Sequence, residues 1–236
     1  MISLDRSEQG VLRPKTIAHI PILQTAPGVT VSADGKRVYA VGEVIWKEWA
    51  AQFAGHGVPE LERSSCVQGG PRADPNGVLY MIDVAKAEAL PEGASGNDAR
   101  AATVAWVDAG CSPVREAVTA DGSLVYVTAR GDNKVLVFDT KKLTSDTQHA
   151  FVKAIATGGE APVGLKLFDD DKMLLVANSN RFSGGNGNAT VIDVEKGVVV
   201  QKISTGEFPR NITASPDGKT LYMTIFNSNQ LMVLHQ

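Results

Sequence analysis

Apolar residues recur along this chain in short alternating runs separated by turn residues, the pattern of β-strands rather than helices. One phrase of that pattern is written four times: a Pro, a few apolar residues, an acidic turn, then a run of aliphatic and aromatic residues. Its copies are Pro27 to Val41, Pro113 to Ala129, Pro162 to Ala177 and Pro209 to Ile225. In each, an Asp follows the Pro by seven or eight residues: Asp34, Asp121, Asp170 and Asp217. In the last copy Asn211 to Ala214 reads as a strand, Ser215-Pro216-Asp217-Gly218-Lys219 as a turn, and Thr220 to Ile225 and Gln230 to Leu234 as two further strands. The second and third copies run on through Val135 to Thr140 and Ala189 to Val194 into a fourth strand, Ala150 to Thr157 and Val198 to Thr205. Four short antiparallel strands per repeat make a β-propeller blade, and a fixed period means that one supersecondary unit is being stacked. The expected fold is all-β: a propeller of four-stranded antiparallel blades, about four of them, in a single domain over residues 1–236.

The blade elements fall at 1–22, 23–109, 110–157, 158–205 and 206–236. The turn Asp residues of the last three copies are 49 and 47 apart, but Asp34 and Asp121 are separated by 87. Only one third strand (Val78 to Val84) and one fourth strand (Ala102 to Ala109) lie in that gap, so it holds an insertion, residues 44–77, plus a loop at Pro91 to Arg100. Within the insertion Ile45, Trp49, Phe53 and His56 have helical spacing, which predicts a short amphipathic helix over the propeller mouth. Ile2 to Asp5 and Thr16 to Ile22 look like strands three and four of a preceding blade, and Thr16 to Ile22 could complete the last blade. Three arrangements stay open: a portion of a larger propeller, a closed four-bladed ring, or half-rings that pair between chains through their open edges.

Strand alternation sorts the loops. The acidic turns share one face, and the connections between blades and between strands two and three share the other. Loops on one face of a rigid scaffold are where binding residues gather. That second face carries Arg115, Arg130, Arg181 and Arg210, with Asn178, Asn211, Trp49 and His56 as further candidates for ligand contact. Guanidinium groups around a cavity suit a small anionic or sugar-like ligand, because they fork carboxylates and phosphates. The alternative is that each pairs with a nearby acid such as Glu116, Asp132 or Glu207. Cys66 and Cys111 also fall on this face, which makes a disulfide between them reasonable in an oxidising compartment.

Composition narrows the partners. A net charge of −3, with 43% apolar and 21% charged residues, describes a globular chain without the basic face that nucleic acid needs. No stretch is long and apolar enough for a membrane span. The cysteines lack zinc-site spacing, Asp169 to Lys172 lacks calcium-loop spacing, and Ser183 to Asn188 lacks the GK[ST] of a phosphate loop, so neither metal nor cofactor is expected. His56 has no evident acid partner for general-base work. The sequons at Asn188 and Asn211 matter only in a glycosylating secretory pathway.

The phrases VSADGKRVYAV, VTADGSLVYVTARGDNKVLVFDT and ASPDGKTLYMTIFNSNQLMVL resemble the YVTN-type β-propeller repeat, whose family includes lactonase-like seven-bladed propellers. The resemblance implies a propeller fold and covers nearly the whole chain outside the insertion. Its members include exported or surface-layer binding proteins, lactonases and redox-partner propellers, and no catalytic residue carries over position by position. The first expectation is a non-enzymatic binding propeller that holds a ligand or a protein on the loop-rich face, exported in its parent form. The alternative is a lactonase-like hydrolase of a sugar-derived lactone, with Arg115, Arg130, Asn178, Arg181 and Arg210 holding its carbonyl and acid groups. Met1 to Arg6 has neither a basic n-region nor an apolar h-region, so no signal peptide is expected within this chain, and a cytoplasmic location is the alternative to an extracytoplasmic one.

Overall fold

The computed structural model describes residues 2–6, 10, 12–22, 25–43 and 76–235. Its strands form antiparallel sheets in the order of the sequence. Blade I is β3 (Gly28–Val31), β4 (Arg37–Gly42), β5 (Asn76–Asp83) and β6 (Thr103–Cys111). Blade II is β7 (Pro113–Val118), β8 (Leu124–Ala129), β9 (Lys134–Asp139) and β10 (Phe151–Ala156). Blade III is β11 (Pro162–Phe168), β12 (Met173–Asn178), β13 (Asn186–Asp193) and β14 (Val198–Glu207). Blade IV has three strands, β15 (Pro209–Ala214), β16 (Thr220–Ile225) and β17 (Gln230–His235). A separate hairpin pairs β1 (Ile2–Arg6) with β2 (Leu12–Thr16).

The N-terminal strand differs from its expected place. β2 begins four residues before Thr16, and the apolar run after it is not a strand. Ala18 instead bridges Ala94, and Ile17 and Ile20 pack with Leu90, Ala94 and Ala99 beside blade I. Among the described residues that run therefore does not pair with β17, and blade IV has three strands. The expected insertion helix, with Trp49 and His56, lies outside the described residues, as does Cys66.

Blades adhere through apolar faces. Tyr39, Val41, Leu79 and Val107 of blade I pack with Val125, Val127, Leu136 and Phe138 of blade II. Val135 and Val137 of blade II then meet Leu165, Leu167, Leu174 and Val176 of blade III. Leu175, Ala177 and Ala189 of blade III meet Leu221, Met223 and Ile225 of blade IV. Each fully buried aliphatic contributes about 1.5–3 kcal/mol, so these seams are the principal source of stability.

The acidic turns are structural. Ser32, Thr119 and Ser215 donate their hydroxyls to Asp34, Asp121 and Asp217 at 2.7, 2.6 and 2.6 Å. The same carboxylates accept the backbone N–H groups of Lys36, Ser123 and Lys219. These bonds, the hydroxyl first, hold all three carboxyls below their usual range. Depressed carboxylates give stability that is full above the unfolded value of 3.8 and lost as pH falls through the lower folded values. Asp121→Ala should therefore flatten the acid limb of the unfolding profile below about pH 4; an unchanged limb in acid titrations followed by circular dichroism would remove this role. Blade III departs from the pattern. Asp169, Asp170 and Asp171 all have left-handed backbone, with φ of 52, 52 and 62°. Asp171 uses its carboxylate to accept the N–H of Ala120 in the neighbouring turn, at 2.6 Å.

Candidate ligand site at the channel mouth

The innermost strands β3, β7, β11 and β15 line a central cavity of about 460 Å³. Its loop-rich mouth is built by one device used four times. Thr25, Ser112, Ala161 and Phe208, at the corners that lead into β3, β7, β11 and β15, have φ of 57, 52, 54 and 58°. Each turns its carbonyl toward the loop after the second strand of its own blade. Glu43, Arg130, Ser179 and Phe226 donate their backbone N–H groups to those carbonyls at 2.9, 3.2, 3.0 and 2.9 Å. The two loop sets do share a face, because each pair is tied together.

Arg115 extends from β7 into this mouth. Its Nη1 donates to the carbonyls of Pro27 and of Val114, and its Nε donates to Asn211 Oδ1 at 3.3 Å. One side chain thereby touches blades I, II and IV. Burial lowers its pKa; Glu116 opposes the shift, Arg210 adds to it and Glu43 opposes it again. Arg210 is exposed beside it, its guanidinium 5.8 Å from the Phe208 ring centre and 5.4 Å from that of Phe226. Arg115, Arg210 and Asn211 are the expected residues that the fold brings together.

The other candidates stand elsewhere. Arg130 is buried, pairing through Nη2 with Glu43 and donating to Ser112 Oγ at 2.7 Å, while Ser112 donates to Glu43 at 2.6 Å. Asn178 is buried in blade III, where it donates to Asn188 and Thr190 at 3.0 and 3.2 Å. Arg181 is exposed on the loop after β12. Cys111 is buried at the end of β6, and the side chain expected to join it, Cys66, lies outside the described residues.

Glu116 is the residue that sequence reading missed as a site. It lines the cavity from β7, is 8% exposed, and both carboxylate oxygens lack a hydrogen-bond partner among the described residues. Burial pushes its pKa up to about 8 against the pull of Arg115. Its carboxyl lies against Gly28 of blade I, where a Cβ would collide with it. The repeat frame holds the missed signal. Counting five residues back from each turn Asp gives Val29, Glu116, Leu165 and Ile212, so an acid occupies a position that the other copies fill with an aliphatic. Among the described residues no group of three or more His, Cys, Asp or Glu could hold a metal ion, and no helix is long and apolar enough to cross a membrane.

Residues 72–197 match the model of a family described as lactonase, seven-bladed β-propeller. No curated protein matches the chain. Similar solved structures include hydrazine synthase of Kuenenia stuttgartiensis, with 18% identity, a TM-score of 0.58, and coverage of 85% of this chain and 43% of that one. A provisionally assigned 6-phosphogluconolactonase of Bacteroides uniformis has 17% identity and a TM-score of 0.58, covering 99% of this chain and 60% of that one. A functionally unknown protein of Desulfotomaculum acetoxidans has 14% identity and a TM-score of 0.52, covering 89% and 55%. At these identities the likeness is one of fold. The chain spans about half the length of these structures, 43–60%.

Proposed function

The chain belongs to the seven-bladed β-propeller lactonase family, and from that premise we propose that it binds a small anionic or sugar-like ligand at the loop-rich mouth of its channel. The observation that carries this reading is Arg115, a guanidinium suspended between three blades over a 460 Å³ cavity. A carboxylate or phosphate entering the mouth would replace the neutral acceptors that Arg115 now uses, and a charge-assisted bond is stronger than those. Arg210 would add a second positive charge and Asn211 an amide able to meet hydroxyls. Such a protein works by holding its ligand, and an extracytoplasmic location in its parent form, with Cys66 and Cys111 joined, belongs to the same reading.

Calorimetric titration with gluconate, glucuronate and inorganic phosphate tests it. Arg115→Ala should weaken binding at least about tenfold, the worth of one charge-assisted bond, whereas Arg181→Ala, on an exposed loop, should leave it unchanged. No saturable binding by any of the three probes would sink the reading.

Lactone hydrolysis is the second reading, and Glu116 favours it. A carboxyl that keeps its proton to about pH 8 inside the cavity could protonate a leaving ring oxygen. Water would add to the carbonyl carbon, the ring C–O bond would break, and a proton from the adding water would restore Glu116. Turnover of gluconolactone above the spontaneous rate, abolished in Glu116→Gln, would establish this reading; an unchanged rate in that variant would exclude Glu116 as the acid.

A further inference from the structure

The face opposite the mouth has an opening of its own. Between the acidic turns of blades I and II lies a pocket of about 350 Å³, whose lining includes Ala33, Lys36, Tyr39, Gly122 and Lys141. Between blades II and III the corresponding spot holds a carboxylate. There Ala120, one residue before the turn Asp of blade II, donates its N–H at 2.6 Å to Asp171, one residue after the turn Asp of blade III. That carboxylate is felt by Tyr126, whose pKa is raised first by burial and then by Asp171 and Asp121. Tyr126 is the blade II counterpart of Tyr39, which lines the pocket.

Two changes in the repeat leave the I–II seam open. Gly122 stands where blade III has Asp171, with a similar backbone, φ of 73° against 62°, and a Cβ there would meet nothing within 4 Å. Ala33, the counterpart of Ala120, therefore has no carboxylate opposite it, and its N–H makes no hydrogen bond among the described residues. Lys141, two residues after Asp139 at the end of β9, stands where blade III has Glu195, two residues after Asp193 at the end of β13. The open seam thus offers a cation where the filled one has an acid.

We propose that this pocket binds a carboxylate ligand, whose oxygen accepts the Ala33 N–H as Asp171 accepts that of Ala120, with Lys36 of blade I and Lys141 of blade II supplying positive charge. A charge-assisted bond to a backbone N–H is the stronger kind, and here the donor is already in place. The two carboxylates at the rim, Asp34 and Asp121, are engaged by Ser32 and Thr119 and by backbone N–H groups of their own turns. Asp171 shows that a further carboxylate can sit beside such a turn. Both walls belong to adjoining blades within the chain, so the site needs no further blade. The ligand is a free acid or the acidic side chain of a peptide, and the choice of probes separates the two.

Titration of the isotope-labelled chain with acetate and with acetyl-Gly-Asp-Gly-amide, followed by amide resonances, tests the site. The Ala33 and Gly122 amides should move along saturating curves, and the uncharged acetyl-Gly-Asn-Gly-amide should move neither. Saturation at lower peptide than acetate concentration assigns the site to acidic peptides, the reverse assigns it to free acids, and either result supports the proposal. Gly122→Asp, on a backbone that Asp171 already adopts, should shift Ala33 without any ligand and abolish saturable binding. Lys141→Glu should weaken binding about fivefold, the worth of an exposed charge pair. If Gly122→Asp fails to fold, Ala33→Pro serves, because blade IV carries Pro216 at that point of its turn. It removes the N–H and should abolish the Gly122 response. No saturating shift at Ala33 with either acetate or the Asp peptide overturns the proposal, as does binding undiminished by Gly122→Asp or by Ala33→Pro.

Discussion

Replacing Glu116 by Gln should raise stability at and above pH 8 by on the order of 5 kcal/mol while changing little at pH 4.5 or below. The folded chain holds this carboxyl protonated up to about pH 8, whereas the unfolded chain releases the proton near 4.5. Between those values the native state binds more protons than the unfolded one, so stability falls as pH rises. The fall saturates once the folded carboxyl also ionises, near pH 8, after 3.5 pH units at about 1.4 kcal/mol each. Glutamine keeps the shape and has no proton to lose, so its urea midpoint should not follow that slope. Glu116→Leu restores the aliphatic that Leu165 supplies in blade III, and should show the same loss of slope. Parallel profiles for the wild type and Glu116→Gln between pH 4.5 and 8 would mean that the carboxyl is already ionised in the fold.

Arg130→Ala should cost about 3 kcal/mol, because it strands the partly buried Glu43 carboxylate with the Ser112 hydroxyl for company. Arg130→Lys should recover only part of this, since one ammonium replaces a planar fork that serves Glu43 and Ser112 together. Removing both charges, with Arg130→Met and Glu43→Leu, should be much milder than either single removal, as expected when the loss arises from an unpaired buried charge. Equilibrium urea unfolding of the wild type, Arg130→Met, Glu43→Leu and the double variant closes the cycle. Additive losses would show that the pair does not act as a unit. In ligand titrations, Arg130→Met with Glu43→Leu should keep the affinity that Arg115→Ala loses.

The sequence carried the blades and the sorting of loops by face, because both depend on local signals that repeat. The Ser/Thr-x-Asp-Gly turns have the chemistry to close on themselves wherever they occur, as the hydroxyl to carboxylate bonds at Asp34, Asp121 and Asp217 show. Which arginine reaches the channel was not legible. Arg115, Arg130 and Arg210 share a face, and only tertiary neighbours divide them: Glu43 takes one, Phe208 and Phe226 another, and the cavity the third. Glu116 was legible only as a break in register among copies. The run after Thr16 misled for a physical reason. Apolar residues gain the same burial by packing against Leu90 and Ala99 as by joining a sheet, and composition does not separate the two outcomes.

The corner bonds at Thr25, Ser112, Ala161 and Phe208 run from main chain to main chain, so they make no demand on the side chains of the loops they secure. Residues as unlike as Ser, Ala, Phe and Thr already occupy that corner. A mouth fastened in this way can exchange its recognition chemistry one blade at a time while the scaffold beneath keeps its shape. That makes each corner a graft point: a loop transplanted from one blade to another should seat itself, bringing its guanidinium or its aromatic ring to a new bearing around the same channel.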